Sequence, residues 1–586
     1  MLFSTLAEAF KQIEATSSRI QMTARLADLF RRAPEDADVL PYLLQGKLGP
    51  PYAAPDIGLD EQRIAQAIGA LAEIAGDEVW RLYDQWGDLG LVAEHLLPPS
   101  DQPLTVHEVF EQLRRIATAV GTGAYVEKVS LFQDLLRRTG GAGARYLVRI
   151  AQGRLRLGVG DATLMDALSV AIAGDTSLRP RIDRAYSFCS DLGFVAGKLL
   201  LGGAGALEQI HPSPGRPVLP ALAERLPSPA EIIRRLGPVI AEPKYDGLRL
   251  QAQKDGDRVW LFTRRLEDVT HAFPEVVRAV RRQIVADQAI LDGEAVGYDP
   301  RTGQFLPFQQ TVRRRRKRRV EEMEILYPLR YYVFDLLYLN GQDFTPVPQR
   351  RRSERLREIV REEPDGVISA TLQEEIGDAK ELEVFVDEML RRGLEGAVVK
   401  RPDAPYHAGA RQFNWVKLKR GYKEALADTF DVVVVGYDYG RGKRAKLGIG
   451  SLLCTIYSPE RDLFRTISRV GSGLTDEEWL RFREMLDAIR TAEKSPRVDS
   501  EIVPDVWVEP RYVIEVIAGE ITRSPLHTCG KVDGQPGYAL RFPRMSRFRF
   551  DRRAEDATTE NEVIELYQLQ SARGARQREA RRQKAP

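Results

Sequence analysis

The sequence predicts a multidomain protein: an all-α segment, then an α+β domain, then an all-β barrel resembling an OB-fold. Three observations carry this. The 586 residues are several times the ~150 residues of a typical domain. Apolar residues recur at helical spacing before a Pro/Gly-rich stretch, HPSPGRPVLP at 211–220, and as short runs bounded by turn residues after it. From DVVVVGYDYG at 431 the pattern is almost wholly strand.

In residues 1–212, Phe3, Leu6, Phe10 and Ile13 fall on one helical face, as do Leu164, Leu168 and Ile172. Residues 137–160, RRTGGAGARYLVRIAQGRLRLGVG, hold six arginines and no acid. That composition suits phosphate contacts, and equally the solvated face of an amphipathic helix. In 213–424, LRLQAQKDGDRVWLFTR reads as a hairpin turning at KDGD, and AILDGEAVGYD and RYYVFDLLYLNG as further strands with helical stretches between. In 425–570, IGSLLCTIYS, DLFRTISRVGSG, RYVIEVIAGEITRS and ALRFPRM join the first strand to make five, with one helix-like stretch at 475–490, which suggests the OB-like barrel. The end, SARGARQREARRQKAP at 571–586, has six basic residues against one acidic and reads as a solvated tail.

Composition narrows the function classes. With 43% hydrophobic and 29% charged residues the chain is globular, and Lys+Arg 86 against Asp+Glu 84 leaves a net charge of +2, so any nucleic-acid surface must be local. The three cysteines, Cys189, Cys454 and Cys529, form no CxxC pair, and the six histidines no cluster, which argues against structural zinc and for a reducing cytoplasm. No apolar run reaches the ~18 residues of a membrane span, and the N-terminus lacks the basic and apolar regions of an export signal.

Chemistry concentrates at strand ends. Glu242-Pro243-Lys244-Tyr245-Asp246-Gly247-Leu248-Arg249 opens a strand; alone, its K-x-D-G string also reads as a lysine paired with an aspartate before a tight turn. Four similar segments follow: LFTRRLEDVT (261–270), LDGEAV (291–296), LEGAVVK (394–400) and NWVKLKR (414–420). Alternation in W-V-K-L-K puts Lys417 and Lys419 on one strand face, and Glu294 and Glu395 read equally as ordinary edge carboxylates. There is no GxxxxGK[ST] loop; GRGKR at 440–444 lacks its spacing and hydroxyl. Phosphate binding must rest on side chains. A lysine whose amine is made neutral by neighbouring cations or burial can itself attack phosphorus.

These motifs together resemble the nucleotidyltransferases that form a lysyl-nucleotide intermediate, most closely the ATP-dependent DNA ligases of archaeal and bacterial type, over nearly the whole chain. The resemblance implies a helical DNA-binding domain (1–212), an adenylation domain (213–424), an OB-fold domain (425–570) and a basic tail. It implies that Lys244 attacks the α-phosphate of ATP, that the AMP passes to the 5′-phosphate of nicked double-stranded DNA, and that the 3′-hydroxyl displaces it. Glu242 would hold the adenine edge and Phe334 stack on the ring. Arg249 would face the phosphates or the nick, and Arg264 the ribose or 5′-phosphate. Glu294 would contact the ribose or a metal, Glu395 would bind Mg2+ or Mn2+, and Arg411, Lys417 and Lys419 would bind phosphates. The family ends an RxDK pattern in lysine; this chain has Arg552, in Arg549-Phe550-Asp551-Arg552, which is expected to orient pyrophosphate. The resemblance also implies a monomer and leaves a sliding-clamp partner open. The Arg313–Arg319 run is a DNA-contacting loop or a solubilising one. An RNA ligase or capping-type enzyme shares the lysine chemistry, although a capping enzyme needs no large helical domain. An NAD-dependent ligase would carry a four-cysteine zinc module. A non-catalytic DNA-binding scaffold leaves the coincidence of Lys244, Glu294, Glu395 and Lys417 unexplained.

Overall fold

The computed structural model describes residues 1–570 except 17, 101, 154, 156, 227, 307, 315–318, 420–427, 441–446, 533–534 and 569. The tail at 571–586, most of the Arg313–Arg319 run, and the side chains of Arg411 and Lys419 lie outside the described residues. The chain folds into two compact units. One holds Met1–Tyr186, Ser190–Ile210 and Ser495–Arg497, and the other holds Ser187–Cys189, His211–Lys494 and the described residues from Val498 onward. Among the described residues, no helix is long and apolar enough to cross a membrane.

The first unit is helical. Phe3, Leu6, Phe10 and Ile13 are all buried along the helix Phe3–Glu14, and Thr105 and Glu108 close a capping box on Val106–Thr118. Leu164 and Leu168 are buried in Asp161–Ala173, whereas Ile172 is exposed. The arginine-rich segment at 137–160 is the main correction. Its helix Gly141–Ala151 turns two arginines inward. Arg149, 3% exposed, binds Asp88 at 2.6 Å and Glu14 at 2.9 Å, and Arg145 binds Glu14 at 2.9 Å and Glu94 at 3.0 Å. Their acids come from other helices, so the segment's lack of acid hid the pairing. These two arginines hold helices together; Arg137 and Arg138 remain at the surface.

The second unit opens with two sheets. In the first, Leu222–Arg225, Arg411–Lys419, Gly396–Lys400, Val239–Lys244 and Glu374–Ile376 lie in that order. Two helices, Pro229–Leu236 and Ala379–Arg391, cover one face. Strand alternation sends Val239, Ala241, Val399, Val416 and Leu418 into that core with Ile232, Phe385 and Met389. The opposite face carries Glu242, Lys244, Lys400 and Lys417. The second sheet orders Arg258–Thr263, Leu248–Asp255, Gln288–Gly297, Leu329–Leu339 and Gln342–Asp343, with Ile368–Ala370 beside Leu329–Leu339. Leu250, Ala252, Leu261, Leu291 and Val333 bury against Phe273, Val276 and Val280. The hairpin at KDGD forms, with Asp255 opposite Arg258 and Gly256 at φ +55°.

The remainder of this unit is mostly strand around the helix Asp476–Asp487. Among the described residues it has more strands than the five expected: an eight-stranded sheet and a separate two-stranded one. Arg490–Thr491, Val498–Asp499 and Val506–Val508 are two or three residues long, too short to show a period. The run VIEVIAGEITRS splits at Gly519 into Val513–Ala518 and Glu520–Ser524, which join different sheets.

Candidate nucleotide site

The chain passes from the first sheet to the second at Lys244-Tyr245-Asp246-Gly247. Gly247 is required by proximity: a Cβ there would meet the Ala295 carbonyl oxygen at 2.3 Å. Lys244 therefore ends its strand at the mouth of a cleft between the polar faces of both sheets. The cleft, open to solvent, spans about 1090 Å³ and is lined by Lys244, Glu242, Arg249, Arg264, Glu294, Phe334, Glu395, Lys417 and Arg552 among others. Thus every sequence-predicted site residue with a described side chain comes to one place. Nine cationic side chains line the cleft against six carboxylates, a surplus suited to a polyphosphate.

Around Lys244 the charges are shared. Its ammonium binds Glu395 Oε2, while the Glu395 amide donates to the Lys244 carbonyl at 3.0 Å. Arg547 donates to the other Glu395 oxygen at 2.9 Å and to Asp246 at 2.8 Å. Glu294 sits opposite Arg249 in the strand register and makes no side-chain hydrogen bond among the described residues. Burial, opposed by Lys244 and Arg249, pushes its carboxyl up to about 8.

At the Glu242 end, Lys400 lies 2.9 Å from the buried carboxylate, which also accepts from the Gln373 amide at 2.6 Å. Burial pushes the Glu242 carboxyl up, and Lys400 opposes this. The Lys400 ammonium sits 4.9 Å from the Phe334 ring centre and 4.2 Å from that of Trp415, and the two rings meet edge to face at 5.9 Å. The pocket pairs an apolar wall with a polar edge.

Two arginines differ sharply. Arg249 grips Asp292 with both ends of its fork at 3.0 and 2.6 Å and donates to the Ala221 carbonyl at 2.7 Å. Arg264 forms no ion pair among the described residues, and its buried Nε has no hydrogen-bond partner. Burial beside Arg552 pushes it down to about 9, so it stays charged at neutral pH and available to an anion. Arg552 pairs with Asp431. Arg549 is held by Asp551 at 2.8 and 2.6 Å; against the upward push of burial, Arg549 keeps that aspartate well below the carboxylate range.

Sequence reasoning did not assign Asp292, Lys400, Trp415, Asp431 or the Arg547 contacts. Lys400 stands inside LEGAVVK, Asp292 inside LDGEAV and Trp415 inside NWVKLKR, whereas Asp431 and Arg547 stand in no site motif. Their partners lie on other elements, 43 residues away for Asp292 and Arg249 and 301 for Arg547 and Asp246, where periodicity is silent.

Three family descriptions match the chain in order: "DNA ligase N terminus" over residues 2–169, "ATP dependent DNA ligase domain" over 220–419 and "ATP dependent DNA ligase C terminal region" over 445–552. The probable DNA ligase of Dictyoglomus turgidum is 46% identical over 572 residues, covering 97% of this chain and 98% of that one. The DNA ligase of Sulfolobus acidocaldarius is 41% identical over 588 residues, with coverage of 97% and 98%. Identity sustained from the helical unit through the lysine cleft to the last strands assigns the chain as a whole: it belongs to the ATP-dependent DNA ligase family.

Proposed function

We propose that this protein seals nicks in duplex DNA through a Lys244–AMP intermediate, and that residues 1–212, 213–424 and 425–570 serve as its DNA-binding, adenylation and OB-fold domains. The observation that carries the reading is the placement of Lys244. It is a strand-end lysine in a cleft of surplus positive charge, one step from an apolar pocket with a carboxylate edge. ATP would lay its base between Phe334 and Glu242 and its phosphates toward Lys417, Arg264 and Arg552. The Lys244 amine must lose its proton and leave Glu395 before it attacks. The interaction of Arg264, desolvated and without an ion pair among the described residues, strengthens as the phosphates gain charge in the transition state.

Among the described residues, no cluster of three His, Cys, Asp or Glu side chains encloses a metal. Magnesium bound with a nucleotide uses one or two carboxylates and substrate phosphates. Glu294, half-buried and without a side-chain hydrogen bond among the described residues, and Glu395 fit that mode, and an ion held there would neutralise phosphate charge. The test is incubation with α-labelled ATP and magnesium. Label stable through denaturation is expected on the native protein and absent from Lys244→Ala; labelled Lys244→Ala would overturn the assignment.

A further inference from the structure

Behind the base end of the cleft stands a residue that does not line it. Gln373 immediately precedes the strand Glu374–Ile376, which pairs with Val239–Lys244 along the edge opposite Gly396–Lys400. The carboxyl of Glu242 is therefore met from both neighbouring strands, by Lys400 on one side and Gln373 on the other. Both reach the same oxygen. Glu242 Oε1 lies 2.9 Å from the Lys400 ammonium and accepts from Gln373 Nε2 at 2.6 Å. Among the described residues Oε2 accepts no hydrogen bond, and Glu242 lines the cleft. The buried carboxylate thus has one oxygen tied to the protein and one left to accept.

The Gln373 amide is itself held in one orientation. Its oxygen accepts from the Arg357 guanidinium at 2.9 Å, and its nitrogen also donates to the Ser353 hydroxyl at 3.0 Å. Both partners come from the helix Gln349–Ile359, and Ser353 is buried there, accepting from Gln349 at 3.2 Å as well. An amide whose oxygen is taken by a guanidinium turns its N–H2 to Glu242; flipped over, it would set oxygen against oxygen. Burial pushes the Glu242 carboxyl up toward its protonated form, and Lys400 and Gln373 oppose this. The protonation state decides what the edge can read, because an ionised carboxylate only accepts whereas a protonated one also donates.

We propose that Gln373 is a positioning residue for the base: by tying Oε1 of Glu242 it aims Oε2 at the exocyclic amine of a 6-aminopurine, so that the site selects adenine over 6-oxopurines. This rests on the adenylation reading above and deepens it. A 6-oxopurine presents an acceptor where adenine presents N–H, and an acceptor set against a fixed carboxylate oxygen is repelled. Gln373 lies outside the cleft lining and away from Lys244, so its loss falls on nucleotide binding and base choice and spares the chemical step.

The experiment measures adenylation of wild type, Gln373→Met and Gln373→Lys with ATP and with inosine 5′-triphosphate, a 6-oxopurine nucleotide, and sealing of a pre-adenylated nick as a control. Gln373→Met keeps the length of the side chain and loses its donor, whereas Gln373→Lys keeps a donor for Oε1. Losing a hydrogen bond to a charged group should raise the KM for ATP about tenfold in Gln373→Met with the maximum rate nearly unchanged, and lower the preference for ATP over the inosine nucleotide by a similar factor. Gln373→Lys should recover most of that preference, and sealing should be unaffected in both. An unchanged preference overturns the proposal even if KM rises, because a mere strut of the sheet would weaken both nucleotides alike. Equal losses in both variants with a lowered melting temperature overturn it too. Wild-type protein that takes label from neither nucleotide overturns the adenylation reading and this proposal with it, whereas a labelled wild type with an unaltered preference in the variants overturns this proposal alone.

Discussion

Lys244 and Glu294 show how two ionisable groups in one cleft differ in what they require. Lys244 is nucleophilic only as a neutral amine, so Lys244→Arg should be as inactive in adenylation as Lys244→Ala, because a guanidinium stays protonated. Both variants should keep the native melting temperature to within a few degrees, since the side chain lies at an open cleft. Glu294 has the opposite bias. A carboxyl raised to about 8 favours the fold in its neutral form. Its contribution is complete below the ordinary carboxylate range and is lost as pH rises through about 8. Glu294→Gln is neutral throughout, so its melting temperature should gain on the metal-free wild type as pH climbs across that window. A constant difference between the two proteins would show that Glu294 titrates normally. Arg552 offers a third test. Removing its charge in Arg552→Ala should slow adenylation and leave sealing of a pre-adenylated nick nearly unchanged, with Arg552→Lys better tolerated; equal losses in both steps would mean that its pairing with Asp431 is structural. At this scale the motif residues were legible because each motif is local. Arg249 was legible as a cationic site residue, but its grip on Asp292 was not.

At the scale of single elements, the helix Gly141–Ala151 reverses the sequence expectation. Arg149 is buried with Asp88 and Glu14, so Arg149→Met would remove the buried 2.6 Å ion pair of Asp88, while Glu14 keeps Arg145. Breaking a buried pair in this way costs about 3–5 kcal/mol. Urea denaturation should report that loss. The salt dependence of DNA binding should be unaffected, because a buried arginine releases no counterions from DNA. A reduced salt slope with unchanged stability would restore the phosphate-contact reading of this helix. Helices and long strands were readable from period alone. The two- and three-residue strands after residue 489 were not, since their pairing is set by neighbours already in place.

For the whole molecule, the two compact units suggest a division of labour. A protein lacking residues 1–212 should still form the lysyl-AMP adduct, because every described residue lining the cleft lies beyond residue 221. It should bind and seal nicked duplex far more weakly. In the intact protein, affinity for nicked duplex should fall steeply with salt, by a slope of ~0.9 per phosphate contact. Equal nick sealing by both forms would remove DNA binding from the helical unit's account.

The sequence by itself determined the order of helical, mixed and strand-rich segments, the strand-end position of Lys244, and the identities of the cations and carboxylates around it. Those features depend on local period, turn residues and short motifs, all confined to a few consecutive residues. Tertiary structure decided which charges remain available. Arg145, Arg149 and Arg249 look alike in sequence to Arg264, yet the first three are spent on acids supplied by other segments, while Arg264, with Asp551 and Asp556 in its neighbourhood, forms no ion pair among the described residues. Whether an arginine serves the fold or a ligand is fixed by what packs against it, and for Arg145, Arg149 and Arg249 that partner comes from 43 to 135 residues away in the chain.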